Sequence, residues 1–330
     1  MIVDIYTHIL PAALTSALQA GGARFGLVKR LMAVSELHDL DGRFRGMDEL
    51  GDYRQIVSLP NPPIEDFAAP DQAAALARIA NDGMAELVRR HKDRFPAFVA
   101  ALPLSDVDAA MAELRRAVEE LGAVGIQIFT HVAGRPLDDA RYAPLFAAMA
   151  GYDLPIWLHP ARTAETPDYA TERFSRFEMW WCFGWPYDTS VAMARLVFAG
   201  VFDRHPNLKI ITHHLGGMIP YFDKRIENGL AVLGSRTKEE DHSRVLAALR
   251  RPHIDYFRMF YADTALFGAS HGLACGVDFF GADHIVFASD APFGPVAETR
   301  DAVKALGLDA AGAAAIFHAN AARLMRGSGA

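Results

Sequence analysis

Short apolar runs rich in Val, Ile and Phe recur along the chain, and longer stretches with helical spacing separate them. This alternation is typical of βα units around a parallel sheet, whose strands are apolar on both faces. Eight runs have the length of a buried strand: residues 2–6, 54–59, 97–101, 124–129, 154–158, 208–212, 255–261 and 284–288. Eight parallel strands that close on themselves predict an α/β fold of the (β/α)8 TIM-barrel type.

Helical spacing between these runs predicts seven helices, over residues 71–91, 106–121, 139–150, 189–202, 217–233, 265–275 and 296–306. Ser105 and Asp188 precede two of them, and their side chains can accept hydrogen bonds from free backbone N–H groups at a helix start. Gly122 follows another and can end it in the left-handed conformation.

Two segments interrupt the repeat, residues 11–52 after the first strand and residues 160–187 after the fifth. Both follow the carboxyl end of a strand, where the loops of a TIM barrel build the active site, so we interpret them as lids or substrate walls. We therefore expect one domain over residues 1–330, with a disordered tail at 327–330. The second insert holds aromatic residues that form either a small satellite core or a wall for a planar substrate: Trp180, Trp181, Phe183, Trp185 and Tyr187.

Composition narrows the class of protein. Of the 330 residues, 51% are hydrophobic and 22% are charged, as in a globular protein with a large core. The net charge is -7 and no block of Lys or Arg occurs, so nucleic acid is not an expected partner. The start lacks a signal-peptide pattern and no apolar stretch approaches about 18 residues, so we expect a cytoplasmic protein with no membrane span.

Ionisable side chains follow the apolar strands at several places, an arrangement that is costly unless each group has a partner or a metal. They are His8, His159, His213, His214, Asp263 and Asp290. The carboxyl ends of barrel strands meet at one face, so these side chains converge. Only two cysteines occur, in no CxxC pair, so a metal would be held by imidazole and carboxylate, as in an open catalytic zinc site.

Several segments resemble the amidohydrolase-superfamily branch that includes aminocarboxymuconate-semialdehyde decarboxylase and the γ-resorcylate and 5-carboxyvanillate decarboxylases. The resemblance spans nearly the whole chain. It is carried by DIYTH at 4–8, GIQIF at 125–129, PIWLHP at 155–160, HPNLKIITHHLGGMIPY at 205–221, YADT at 261–264, FASDAPFGP at 287–295 and NAARL at 320–324.

The resemblance implies a divalent metal, Zn2+ or alternatively Mn2+, with His8, His159 and Asp290 as its ligands. It also implies that His214 is catalytic and moves a proton near the metal together with Asp290, and that the protein is a homodimer. Because side chains alternate along a strand, we expect only one of His213 and His214 to point inward, and we interpret His213 as structural.

The sequence departs from the family pattern at Tyr6, where related proteins carry His or Glu as a metal ligand. Three outcomes are open. Tyr6 could ligate the metal as phenolate, it could donate a hydrogen bond to the substrate, or the metal site could be lost. In the second case His8, His159 and Asp290 still form a three-ligand site of the kind that catalytic zinc uses.

Further candidates for substrate binding are Arg162, which could hold a carboxylate through paired hydrogen bonds, and Trp181 in the second insert. Asp263 could orient His214 or cap the following helix. The leading hypothesis is non-oxidative decarboxylation of a small aromatic or unsaturated carboxylic acid. The alternatives are a metal-dependent hydrolase or hydratase acting on a lactone, an amide or an unsaturated acid, and a metal-free binding barrel.

Overall fold

Eight short parallel strands line the centre of the molecule, and the computed structural model describes residues 1–20 and 31–325. In chain order the strands are β1 (Ile2–His8), β2 (Tyr53–Ser58), β3 in two pieces (Ala97–Phe98 and Ala100–Ala101), β4 (Ile126–Phe129), β5 (Ile156–His159), β6 (Ile210–Thr212), β7 (Tyr261–Asp263) and β8 (Ile285–Val286). Each of these eight strands pairs in parallel with its neighbours in sequence, except across the seam between β8 and β1. A separate antiparallel hairpin pairs His131–Val132 with Arg135–Pro136. The predicted tail at 327–330 lies outside the described residues.

The sheet closes into a barrel at two places where the strand pairing is interrupted. The two pieces of β3 flank Val99, so one piece pairs with β2 and the other with β4. At the opposite seam the backbone N–H of Ile5 donates to the carbonyl of Phe287 at 3.0 Å, and that of His8 donates to Ala291 at 2.7 Å. These bonds join β1 to the segment that continues β8, which confirms the predicted barrel.

Trp157 on β5 fills the barrel interior. Its side chain is fully buried, and its indole N–H donates to the carbonyl of Ile5 across the barrel at 3.0 Å. Gly125 lies directly beside it, because a Cβ there would come within 2.5 Å of the indole ring and 2.3 Å of the Pro155 carbonyl. The interior is therefore a packed core below the strand ends, as in other barrels of this kind.

The helices surround the strands and are α1 (Ala12–Ala20), α2 (Leu40–Asp48), α3 (Ile64–Phe67), α4 (Pro70–Arg90), α5 (Val107–Glu119), α6 (Ala143–Tyr152), α7 (Met179–Cys182), α8 (Gly184–Phe198), α9 (Val201–Arg204), α10 (Asp223–Leu230), α11 (Val245–Ala248), α12 (His253–Phe257), α13 (Ser270–Phe280), α14 (Val296–Lys304), α15 (Ala310–Ala314) and α16 (Asn320–Leu324). Helix α4 buries Ala73, Ala77, Ala80 and Met84, which recur on one face at helical spacing. Among the described residues, no helix is long and apolar enough to cross a bilayer.

Three local predictions were wrong. Most of the run at 255–261 is not a strand, because residues 255–257 lie in helix α12, residues 258–260 form a turn, and the strand begins only at Tyr261. The apolar residues 254, 257 and 260 also follow helical spacing, so the pattern fits a helix as well as a strand. Asp188 lies inside α8 and does not cap it. The cap of α5 is Asp106 rather than Ser105, since the Asp106 side chain accepts from the backbone N–H of Ala109 at 3.0 Å.

Candidate metal centre

The carboxyl ends of three barrel strands bring a group of imidazoles together. His8 and His159 are the last residues of β1 and β5, and His213 directly follows β6. One possible ligand atom from each of these three lies within 4.8 Å of the others, and the same holds for His213, His214 and Asp290. The predicted metal ligands therefore do converge, although His213 joins them.

Hydrogen bonds settle which ring nitrogens face the centre. His8 Nδ1 lies 3.0 Å from the carbonyl oxygen of Leu59, and His159 Nδ1 lies 2.6 Å from that of Pro160. A carbonyl accepts only, so both Nδ1 atoms carry a proton and donate it, which leaves each Nε2 with a lone pair when the ring is neutral. This is the arrangement that metal-ligating histidines usually adopt.

The contact between His8 and Asp290 fits a bound cation. His8 Nε2 lies 3.0 Å from Asp290 Oδ1, and both side chains are almost completely buried. With the Nδ1 proton committed to Leu59, these two atoms face each other as acceptors unless a proton or a metal ion lies between them. Although burial by itself raises it, the neighbouring imidazoles of His213 and His8 hold the pKa of the Asp290 carboxyl well below its usual range.

Asp290 has a backbone conformation that is rare for a residue with a side chain. Its φ is 65°, in the left-handed region, just beyond the end of β8. Residues held there by the surrounding structure cluster at functional sites. The backbone N–H groups of Phe293 and Gly294 both donate to the Asp290 carbonyl, at 2.8 and 3.0 Å, and so hold the turn that aims the carboxylate at His8.

His213 and His214 both lie at the site, so the expectation that only one ring can point inward was wrong. Strand β6 ends at Thr212, and His214 has a φ of 53°, so the alternation of strand side chains no longer applies. The two rings stack with their centroids 3.7 Å apart. His213 is completely buried, and its Nδ1 bonds to Asp263. Asp263 therefore orients His213 rather than His214.

The two stacked rings have opposite electrostatic surroundings. Burial lowers the pKa of His213, but the Asp263 carboxylate outweighs this and raises it to about 9. Burial and the neighbouring His213 lower the pKa of His214 to about 4. His214 Nδ1 donates to the carbonyl of Ala265 at 2.7 Å, which leaves its second nitrogen for other contacts. His214 is thus the neutral imidazole of the pair.

A cavity of about 240 Å³ lies above this cluster. His8, His159 and Asp290 line its floor, and the other lining residues are Leu31, Asn61, Pro62, Trp180, Trp181, Trp185, Phe267 and Phe293. The three tryptophans of the second insert thus form part of the cavity wall, whereas Phe183 and Tyr187 lie outside it and are 67% and 54% exposed. Trp181 is placed where a substrate ring could lie against it.

The structure does not bring Arg162 into this cavity. Its guanidinium lies 3.8 Å from the Asp188 carboxylate and donates to the carbonyl of Pro167 at 3.5 Å. Tyr6 is fully buried beside the imidazoles and does not line the cavity either. Neither residue is positioned as the predicted direct contact to a substrate in the cavity.

Several cavity residues escaped the sequence prediction. Asn61 follows β2, Phe267 follows β7 and Phe293 follows β8, so each lies a few residues beyond the carboxyl end of a strand. That position was the available signal, because loops at this face build the site in TIM barrels. None of the three has a metal-ligating side chain, so they did not stand out beside the histidines.

The donor set suits a divalent metal. Tyr6 Oη and His213 Nε2 are buried and make no hydrogen bond to the described residues, although His213 Nε2 lies 3.5 Å from Asp290 Oδ1. Buried polar atoms without partners are rare and often mark an ion or water site. Imidazole and carboxylate donors without thiolate match Zn2+ or Mn2+. The residues therefore fit the metal that the resemblance implies.

Comparison with known proteins decides the family. The family model described as amidohydrolase matches residues 3–327. The chain belongs to the amidohydrolase family. A gamma-resorcylate decarboxylase from Polaromonas sp. strain JS666 is 35% identical to this amidohydrolase over 280 residues, which cover 81% of each chain. A second gamma-resorcylate decarboxylase, from Rhizobium radiobacter, is 33% identical over 300 residues, 87% of this chain and 86% of the other.

Solved structures of related decarboxylases support the same family assignment. A dihydroxybenzoic acid decarboxylase from Polaromonas sp. JS666, with bound manganese and the inhibitor 2-nitroresorcinol, superposes with a TM-score of 0.81 at 30% identity and covers 98% of this chain and 96% of that one. A 2,6-dihydroxybenzoate decarboxylase in complex with 2,6-dihydroxybenzoate has a TM-score of 0.80 at 29% identity, covering 98% of each chain. These matches confirm the predicted family, the TIM-barrel fold and the metal-dependent lyase class, and they do not favour the hydrolase and hydratase alternatives.

Proposed function

We propose that this amidohydrolase is a metal-dependent, non-oxidative decarboxylase of a small aromatic carboxylic acid. The observation that carries the proposal is the position of His8, His159 and Asp290 on the floor of a cavity with an aromatic wall. A planar ring that enters this cavity is covered by indole faces while its polar substituents meet the floor. The similarity to gamma-resorcylate and 2,6-dihydroxybenzoate decarboxylases supports the same assignment.

His8, His159 and Asp290 would hold the metal, for which we propose Zn2+ or Mn2+. When bound, the metal supplies a Lewis acid and a template for oxygen atoms of the substrate. The other residues of the chain would orient these three ligands. The carbonyls of Leu59 and Pro160 fix the two imidazoles, and the left-handed turn at Asp290 fixes the carboxylate.

His214 and Asp290 would handle the proton. Decarboxylation breaks a carbon–carbon bond, leaves its electron pair on the ring and needs a proton at that carbon, which the neutral His214 imidazole would take up from solvent and pass on. A nitrogen of His214 lies within 4.8 Å of the ligand atoms of His213 and Asp290, and the His214 ring stacks on Trp185, which lines the cavity. A positioned imidazole is the most common general acid or base at such a step.

The test is an assay for carbon dioxide release from 2,6-dihydroxybenzoate and a panel of other hydroxybenzoates, with products identified by mass. The manganese-loaded protein should release carbon dioxide from at least one of them. His159→Ala should abolish both bound metal and release, and His214→Asn should abolish release while retaining metal. His271→Ala, an exposed histidine on α13, is the matched control and should be active.

Two results would contradict the proposal. One is a folded, metal-loaded protein that releases no carbon dioxide from the panel. The other is a product that has gained water, since that outcome would assign the site to hydrolysis or hydration. Either result would leave the family and the fold unchanged, because these rest on sequence and structure matches.

We also propose that the protein forms a homodimer, as the sequence resemblance implies. Phe183, which directly precedes α8, and Tyr187 and Val191 within it are exposed at i, i+4 and i+8 and form one apolar stripe that a second copy would cover. Two-fold dimers are the most common assemblies of soluble proteins. Light scattering should give twice the chain mass, and Tyr187→Ser should shift it toward the monomer. The cytoplasmic location remains a prediction from the sequence.

A further inference from the structure

The hydroxyl group of Tyr6 is a buried polar group of the barrel core for which no hydrogen-bond partner is found in the part of the chain that the structure describes. The side chain is 0% exposed, and its phenolic oxygen makes no hydrogen bond to the described residues. Leaving a buried hydroxyl unpaired is unfavourable, so such a group usually meets a ligand, an ion or a water molecule. The neighbouring polar residues of β1 differ, because Asp4 and Thr7 are both hydrogen-bonded.

The Tyr6 ring is packed against the imidazoles of the metal centre. Its centroid lies 4.1 Å from that of His213, 5.3 Å from His8 and 5.9 Å from His159. Burial and the carboxylates of Asp263 and Asp290 raise the pKa of the Tyr6 phenol, so it is protonated before a cation binds. Tyr6 is therefore surrounded by the same groups that would surround the metal.

The position of the cavity decides between the two roles that Tyr6 could have. His8, His159 and Asp290 line the cavity, whereas Tyr6 does not. A substrate that enters from the barrel mouth therefore meets the imidazoles and the metal before it can reach the phenol. Tyr6 lies outside the cavity, packed against the imidazole rings that would hold the metal.

We propose that the Tyr6 oxygen is a ligand of the metal, together with His8, His159 and Asp290. This inference rests on the proposed function only in requiring that a metal is bound. On binding, the oxygen releases its proton to solvent, and the phenolate and the Asp290 carboxylate together balance the charge of a divalent ion. Two oxygen and two nitrogen donors make a harder site than one built mainly from imidazole.

The test uses a spectroscopic signature of the bond. An iron(III) ion with a phenolate ligand has a charge-transfer absorption band in the visible range. The apoprotein loaded with Fe(III) should be coloured, and Tyr6→Phe should lose the band while still binding iron through His8, His159 and Asp290. Tyr6→His should also bind iron without the band, because it offers nitrogen in place of oxygen.

The matched control is Tyr261→Phe, which removes a phenol from β7 that stacks on His284. It should retain the band in full. Manganese affinity, measured by competition with a chelating dye, should fall at least about tenfold in Tyr6→Phe and not change in Tyr261→Phe. Circular dichroism of each variant verifies that the fold is intact.

A second measurement needs no variant. Titration of the wild-type apoprotein with Zn2+ should produce the ultraviolet difference spectrum of one ionised tyrosine, complete at one equivalent of metal. A colourless wild type with stoichiometric iron, a band that persists in Tyr6→Phe, or no ionised tyrosine on zinc binding would overturn the inference. A coloured protein that releases no carbon dioxide would instead contradict only the proposed function.

Discussion

Glu65, on α3, is a buried carboxyl group outside the metal centre. It lines a small cavity together with Gln127 and His131, and its Oε1 has no hydrogen-bond partner among the described residues. Burial raises the pKa of Glu65 to about 7. A carboxyl group whose pKa is raised in the folded state binds more protons there than in the unfolded chain. Folding therefore becomes less favourable as the pH rises between the two values.

This gives the first prediction. Between about pH 4.5 and pH 7 the free energy of unfolding should fall by up to about 3 kcal/mol because of Glu65, and Glu65→Gln should abolish this dependence. Urea denaturation at pH 5 and pH 8 measures it. Glu65→Gln should have a higher free energy of unfolding than the wild type at pH 8 and nearly the same one at pH 5. Glu120→Gln, at an exposed position, should have the wild-type free energy of unfolding at both pH values. Parallel curves for wild type and Glu65→Gln would contradict the prediction.

A buried guanidinium helps to attach the first insert, residues 11–52, to the barrel. Arg43 on α2 donates to the side chain of Gln55 at 2.7 Å, to the carbonyl of His8 at 2.5 Å and to the hydroxyl of Thr7 at 3.1 Å. The sequence analysis did not single it out, because an Arg in an insert is usually exposed. Its contacts lie at the end of β1, directly behind a proposed metal ligand.

The second prediction concerns this attachment. Arg43→Met should destabilise the protein by about 3 kcal/mol, since it leaves buried acceptors on β1 and β2 without a donor. It should also weaken metal binding, because the backbone of His8 loses a support. Arg45→Met changes an exposed residue of the same helix and should be near neutral in both measurements. Equal unfolding free energies for the two variants would refute the proposed attachment.

The second insert, residues 160–187, acts on the site in another way. It contributes Trp180, Trp181 and Trp185 to the cavity wall without contributing a metal ligand. The Trp181 indole N–H donates to Glu178 at 3.1 Å, which holds the ring from within the insert. An indole face can bind a planar ring without taking part in the chemistry.

The third prediction follows from these separate roles of the tryptophan wall and the metal ligands. Trp181→Ala should raise KM about tenfold, with unchanged metal content and a smaller effect on kcat, because it removes binding that the substrate and the transition state share. Steady-state kinetics and elemental analysis measure both. Phe183→Ala, an exposed aromatic residue of the same insert, should leave KM unchanged. A loss of metal in Trp181→Ala would mean that the residue supports the centre instead of the substrate.

At the scale of the whole molecule, the barrel couples the two ends of the chain. The bonds from Ile5 and His8 to Phe287 and Ala291 join β1 to the last barrel segment. The proposed ligands come from the same two ends and from β5, so the metal centre exists only when the barrel is closed. Because the two ends of the chain complete one barrel, we still predict a single domain over residues 1–330.

The fourth prediction tests whether the chain unfolds as one cooperative unit. Unfolding followed by far-ultraviolet circular dichroism and by Trp fluorescence should give coincident transitions. A metal concentration about 100 times its Kd should stabilise the folded state by about 2.7 kcal/mol and shift the transition upward in temperature. The chelated protein should unfold earlier but still in one step. Separate transitions for the two probes would divide the chain into more than one unit.

The sequence alone determined the barrel and the identity of the proposed ligands. Apolar runs of strand length with ionisable residues at their ends place His8, His159 and Asp290 at one face, because parallel strands share that face. The same pattern predicted a strand over 255–261, which was wrong, since a short apolar run fits a helix as well as a strand. The resemblance of several segments to those of known decarboxylases predicted the family and the reaction.

Only the tertiary structure decided what lies beyond the strand ends. Periodicity assigns a side chain to a face while the strand lasts, but His214 lies past it with a φ of 53°, and contacts from other elements set its direction. The same reason brought His213 to Asp263, paired Arg162 with Asp188, and placed Tyr6 under the metal centre instead of in the cavity. These directions depend on long-range packing, which no local pattern of residues encodes.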